Sequence, residues 1–259
     1  MASRPAAGGG RWVDVPPERL ERWLAGFTER HGLDRVEPGG SDAAAPSGAD
    51  SAGSGDHDFA APSGPEAGRV EGGRANAGGV QAGRASVVTV YGVDGAVAEC
   101  HPPFPPLAIG QRDPVEVLLA HAERDRRVGV LLVRLGGYAA GIFEGTKLVA
   151  SKVDTRQVHG RNKAGGWSQQ RFARRREGQA RQLTEAAAAV AERVLLPELD
   201  TLDAIVLGGD KAAVDAALTN LAPLRERAVE RFLTVPDPRR TILEATPQTF
   251  RAVVIRVAP

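Results

Sequence analysis

Cysteine, methionine and aromatic residues are scarce in this 259-residue chain: one Cys, one Met, and 5% Phe, Trp and Tyr together. A single thiol, Cys100, can form neither an internal disulfide nor a thiolate zinc cluster. The five histidines, at 31, 57, 101, 121 and 159, show no metal-ligand spacing, so no metal is expected. Long hydrophobic runs are missing too. The longest aliphatic run, Val128–Val133, is far too short to span a bilayer. Met1–Arg11 holds no apolar stretch of the kind a signal peptide needs. A cytoplasmic location without a membrane partner is therefore the expectation. Net charge is scarce as well, at +1. Any argument for a nucleic-acid partner must rest on where the charge sits.

What is present divides into three stretches. Pro16 and Pro17 at the start, and Leu20, Trp23, Leu24 and Phe27 on one face, predict a helix over Val13–Gly32. Residues 1–33 thus read as a helical segment that packs on a larger body, because a lone helix is marginal in water. From Asp34 to Ser86, Gly, Ala, Ser and Pro dominate, and Val36, Phe59, Val70 and Val80 are the only large apolar residues. Such a composition cannot offset the entropy of ordering, so 34–86 reads as a disordered insert.

Residues 87–259 read as an α/β domain with a mixed sheet flanked by helices. Val87–Tyr91, Ala96–Glu99, Val128–Leu135, Tyr138–Phe143 and Lys147–Val153 predict an antiparallel meander, interrupted by a helix over Pro114–Arg124. A long helix is predicted from about Ser168 to Leu196, with Phe172, Leu183, Ala187, Val190 and Val194 in one stripe. A short strand at Ala204–Leu207, a helix capped by Asp210, a helical stretch over Leu224–Phe232 and a closing strand at Phe250–Val257 follow.

One segment concentrates the positive charge. Between Lys152 and Arg181 lie nine basic residues (Lys152, Arg156, Arg161, Lys163, Arg171, Arg174, Arg175, Arg176, Arg181) and two acids, Asp154 and Glu177. The local charge of +7 leaves the rest of the chain net acidic. A solvated helix face normally interleaves acids at helical spacing, and this one scarcely does. Phosphate backbones attract such a patch through counterion release. Inside it, Gly165-Gly166 loosens the backbone just ahead of the long helix. By itself a glycine pair there is most simply a turn, and Ser168 a cap.

The wider string is more specific. Val153-Asp154-Thr155-Arg156-Gln157-Val158-His159-Gly160-Arg161 leads into Gly165-Gly166, and Gln170-Arg171-Phe172-Ala173-Arg174-Arg175-Arg176-Glu177 follows. This resembles the catalytic middle domain of eukaryotic and archaeal peptide-chain release factors, in which a His-Gly-Arg stretch leads into Gly-Gly-Gln-Ser and an Arg-Phe-Ala-Arg helix. The chain departs from that pattern after Gly166, where Trp167 stands in place of glutamine. Glutamine at Gln169 gives Gly-x-x-Gln, which is similar to the release-factor-like peptidyl-tRNA hydrolases of ribosome rescue, in their high-GC, actinobacterial branch. The similarity extends more loosely over Arg11–Gly32 and Val87–Pro259.

The resemblance implies an RNase H-like core, binding to the large ribosomal subunit, and release of nascent chains from peptidyl-tRNA by a monomer that needs no cofactor. Gln169 would orient the water, with Gly165 and Gly166 letting the loop adapt; Gln170 stays open as the alternative. Arg156, Arg161, Lys163, Arg171, Arg174 and Arg175 would hold RNA phosphates, and Trp167 would stack on a base. The residue types suit the chemistry. An ester is already activated, and a neutral amide can hold a water and donate to developing charge without titrating. The competing readings are a non-catalytic tRNA- or rRNA-binding module using the same patch and a metal-dependent nuclease built on Glu144, Asp154 and Asp210. A Ser168–His159–Asp154 triad has no support from its spacing.

Binding to ribosomes should therefore fall steeply with salt. Replacing Arg174 and Arg175 together by alanine should flatten the slope of log affinity against log salt by roughly 1.5. An unchanged slope in a salt titration would show that the footprint lies elsewhere.

Overall fold

The computed structural model describes residues 3–6, 9–40, 84–134, 136–155 and 168–259. In chain order, β1 (Ser3–Pro5) and β2 (Arg11–Val15) lead to helix α1 (Pro17–His31). Strands β3 (Arg35–Gly39), β4 (Arg84–Ala85), β5 (Val87–Tyr91), β6 (Val97–His101) and β7 (Leu107–Ala108) precede α2 (Pro114–Glu123). Then come β8 (Arg127–Arg134), β9 (Gly137–Glu144), β10 (Lys147–Thr155) and the long α3 (Ser168–Val194). A 3-10 turn at Leu196–Thr201 leads to β11 (Ala204–Gly209), α4 (Lys211–Ala217), α5 (Ala222–Glu226) and β12 (Ala228–Leu233). Helices α6 (Arg240–Ala245) and α7 (Pro247–Phe250) and strand β13 (Val253–Ala258) follow.

The central sheet is mixed, in the order β10-β9-β8-β11-β12. β9 runs against β8 and β10, while β11 and β12 lie parallel to β8. Counted along the chain within this sheet, the order is 3-2-1-4-5 with one reversed strand, the arrangement of an RNase H-like core. The sequence explains why β8 and β9 are central. Val128–Val133 and Tyr138–Phe143 are apolar on both faces, and every residue of both runs is buried. Leu131, Val133, Tyr138, Ala140 and Ile142 share one core with Leu183, Ala187 and Val190 of α3. Val128, Val130, Leu132, Ala139 and Phe143 face the other way, toward Leu243 of α6 and Phe250 of α7. Helices thus flank a mixed sheet, as the sequence predicts. The turn after β11 is tight enough to require glycine: Gly209 has φ +105, and a Cβ there would lie 2.1 Å from the Val133 carbonyl oxygen. The Asp210 carboxylate then accepts the Ala213 N–H at 3.0 Å and caps α4.

The expectation of a single sheet fails. A second, wholly antiparallel sheet runs β1-β2-β13-β6-β5-β3. β5 and β6 belong to it and not to the meander, and β13 closes it between β2 and β6. The predicted helix over Val13–Gly32 is a strand followed by a helix. Val13 and Val15 alternate inward while Trp12 and Asp14 turn outward, and Pro17 opens the helix at the position where its missing N–H costs nothing. Leu20, Leu24 and Phe27 of α1 then bury against Val13, Val15, Val88, Val90, Ala98 and Ile255. The predicted helix over Leu224–Phe232 is likewise split, into α5 and the strand β12, whose pairing with β11 overrides local propensity. Strands also occupy Arg35–Gly39 and Arg84–Ala85, inside the bounds expected for the insert, because β5 and β7 offer them ladder partners. The remainder, 41–83, lies outside the described residues.

The two sheets meet at a cluster of phenylalanines. Phe250 packs edge-on against Phe143 of the mixed sheet, ring centroids 5.7 Å apart, and against Phe104 at 6.2 Å. Arginines seal the junction. Arg231 of β12 donates to the Ala252 carbonyl at 2.5 Å, just before β13. Arg251 pairs with Glu18 of α1 at 3.3 Å. Arg126 is buried, donates to the carbonyls of His121 and Arg124, and lies 5.1 Å from the Phe104 ring. Burial, reinforced by Arg124, pushes its pKa down to about 10, so it stays charged at neutral pH.

Phe250→Ala should cost about 3–5 kcal/mol of unfolding free energy, because a 1%-exposed ring would leave a cavity between the sheets. Urea denaturation measures this; a loss below about 1 kcal/mol would mean that the junction collapses around the smaller residue or bears little of the stability.

Candidate functional site

The chemistry-bearing string falls between the edge strand β10 and helix α3. β10 pairs on one side only, with β9, and carries a bulge between Leu148 and Ala150. The bulge and Lys147 and Lys152 discourage pairing with another chain at this edge. Its last paired residue, Thr155, stands opposite Gly137 at the start of β9. The chain is next described at Ser168, the first residue of α3.

Of the sequence-predicted residues, Gln169, Gln170, Arg171, Arg174 and Arg175 lie on the first two turns of α3. Gly165, Gly166, Trp167, Arg156, Arg161 and Lys163 lie outside the described residues, as does His159 of the suggested triad. The helix begins at Ser168 as predicted, with Ser168 inside it and not merely its cap, and Gln169 is helical like Gln170, about 100° from it around the axis. Arg171, Arg174 and Arg175 share one helix face by their i, i+3, i+4 spacing.

Buried side chains of α3 include Leu183, Ala187, Val190 and Ala191. The 15 residues from Ser168 to Gln182 span about 22 Å of helix ahead of Leu183. At Gly178 a Cβ would meet nothing within 4 Å. Glu177 is the only acid in these 15 residues.

The stem on the β10 side makes a polar contact with the core. The Tyr138 hydroxyl donates to Asp154 Oδ2 at 3.1 Å, and the two residues are directly opposed across β9 and β10. Nothing in the sequence marks Tyr138 for this role, since only the strand register brings it to Asp154. The carboxylates of the nuclease reading are not assembled. Glu144 pairs with Arg127, which also holds Glu198 at 3.0 Å. It lies six residues along β9 from Tyr138, about 20 Å from the Asp154 end of the sheet. Asp210 is engaged as a helix cap. Among the described residues no group of three or more His, Cys, Asp or Glu side chains could hold a metal ion, and no helix is long and apolar enough to cross a membrane. Cys100 is fully buried and its thiol is pushed up to about 12 by burial, so it is unreactive. His31 contacts Asp94 at 2.8 Å, and His121 contacts the Pro103 carbonyl at 2.8 Å.

A mixed sheet in this strand order, with a glutamine-bearing basic helix following its edge strand, defines a release-factor-like protein. The model of the Actinobacteria/chloroflexi VLRF1 release factor family matches residues 126–256, just over half of the chain, and the chain belongs to that family. No curated protein matches it. Among solved structures, the archaeal translation termination factor aRF1 is similar at 11% identity with a TM-score of 0.33. The match covers 62% of this chain and 51% of that one. An archaeal protein is similar at 12% identity and a TM-score of 0.32, again over 62% and 51%. The chain thus aligns with about half the length of each, and likenesses this loose add nothing to the family match.

Proposed function

We propose that this chain is a peptidyl-tRNA hydrolase that frees nascent peptides from tRNA on stalled large ribosomal subunits. The observation that carries the reading is α3, a 27-residue helix about 40 Å long whose first two turns carry Gln169, Arg171, Arg174 and Arg175. An arm of that length suits entry into a narrow site made of RNA, where contacts with phosphates hold it. The reaction needs a water in line with an ester carbonyl. The Gln169 amide oxygen accepts a hydrogen bond from that water, and its NH₂ donates to the oxygen on which charge develops. Positioning of this kind is worth up to roughly 7–11 kcal/mol, and one donor at the oxyanion about 3–4 kcal/mol. Gly165 and Gly166 give the preceding backbone the freedom to approach the substrate. The action is that of a monomer with peptidyl-tRNA and rRNA as partners, in the cytoplasm.

The test is incubation of purified protein with ribosome-bound peptidyl-tRNA. Free peptide and intact tRNA should appear, and chelators should not stop the reaction. Gln169→Ala should lower the release rate by a factor on the order of 10²–10³ with ribosome binding retained. Gln170→Ala should cost less. Normal release by both variants would sink the glutamine mechanism; a dead Gln170→Ala beside an active Gln169→Ala would move the role one residue along. Binding without any release by the wild type would leave an RNA-binding module.

A further inference from the structure

We infer that Tyr138 is a positioning residue for this hydrolysis, holding at once the two stems from which the glutamine segment is built. The inference rests on the hydrolase reading above. The interiors of β8 and β9, Val128–Val133 and Tyr138–Phe143, contain twelve residues, and the Tyr138 hydroxyl is their only polar side-chain group. Tyr138 is 4% exposed, so its ring fills core space that phenylalanine would fill equally well. The hydroxyl is therefore not explained by packing, and it donates to Asp154 at 3.1 Å. Asp154 is itself exposed and stands one residue before the end of β10. Without that bond the last residues of an edge strand would be held by a single ladder, and such strand ends fray.

The same side chain shares a core with the other stem. The Tyr138 ring belongs to the buried cluster that contains Leu183 and Ala187 of α3. One residue on β9 thus ties the end of β10 to the core on which α3 is seated. A shift in either stem is carried to Gln169. The lever from Leu183 back to Gln169 is 14 residues of helix, about 21 Å, so a small tilt at the seat becomes a larger displacement at the glutamine. Misplacement of a reacting group by about 1 Å can cost 10²-fold in rate.

The experiment uses the full chain and four variants: Tyr138→Phe, Asp154→Ala, Asp154→Asn, and Tyr138→Phe with Asp154→Ala. Release from ribosome-bound peptidyl-tRNA gives kcat and the half-saturating ribosome concentration, and hydrogen exchange is followed over β10 and Ser168–Gln182. For Tyr138→Phe the expected result is a kcat lower by about 10- to 100-fold, unchanged half-saturation and faster exchange in both stems. Its Tm should stay within about 4 °C of wild type, as expected for one lost hydrogen bond. Asp154→Ala should match it, the double variant should be no worse than either, and Asp154→Asn, which keeps an acceptor, should restore most of kcat. Release by the wild type with unchanged kcat and exchange in Tyr138→Phe overturns the inference alone. No release by the wild type overturns the hydrolase reading, and the exchange data then decide by themselves whether Tyr138 holds the two stems.

Discussion

Strand β13 lies between β2 and β6, and much of the remaining architecture depends on that placement. Val253 and Ile255 point into the core formed with α1, and the strand's backbone is satisfied on both sides by segments that precede it by more than 150 residues. Burying an unpaired ladder costs more than a single hydrogen bond returns, so β13 can be central only if both partners are present. Just before it, Phe250 is driven into the mixed sheet against Phe143, and Arg231 grips the Ala252 carbonyl. The same few residues therefore complete one sheet and pin it to the other. The family match, over residues 126–256, ends within this strand and leaves out both of its neighbours. The N-terminal part of the chain supplies the partners that this part of the family fold requires.

The mixed sheet serves a different purpose. Its two central strands are almost free of polar groups, which makes them a stiff base, and Leu183, Ala187, Val190 and Ala191 of α3 pack on that base. The N-terminal half of the helix carries the glutamines and the arginine face. Concentrating like charge on one helical arm costs self-repulsion in the free protein, because only Glu177 offsets it there. On the proposed reading, an RNA partner relieves that repulsion. Among the described residues, some acids are paired with arginines away from this helix, such as Glu144 with Arg127 and Glu99 with Arg256.

Where local pattern and burial agreed, the sequence was a sufficient guide. The apolar runs of β8 and β9, the strand at β10, the part of the α3 stripe at Leu183, Ala187 and Val190 and the Asp210 cap were all legible, since each depends on neighbours within a few residues or on two-sided apolar character, whereas Phe172 of that stripe lies outside the described side chains. The cases that misled are those in which a distant strand supplied the partner. Arg11–Val15 and Ala228–Leu233 carry patterns that suit a helix or a strand, and pairing with β13 and β11 decided the matter. Arg35–Gly39, with proline and glycine at its end, reads as loop and becomes an edge strand because β5 leaves a ladder open.

For the site, the sequence by itself determined the residue types and their order: glycines, then glutamine, then arginines at helical spacing, in the most basic stretch of the chain. That much follows from chemistry that acts over a few residues, and the kinship of the chain follows from the same string. Only the tertiary structure decided that this string follows an edge strand and continues into a helix seated on the mixed sheet through Leu183, Ala187 and Val190, and that Tyr138 reaches Asp154 across the register of β9 and β10. Periodicity assigns a residue to a face, but which residue stands opposite it depends on how two strands slide past each other, and that is fixed by the whole buried sheet.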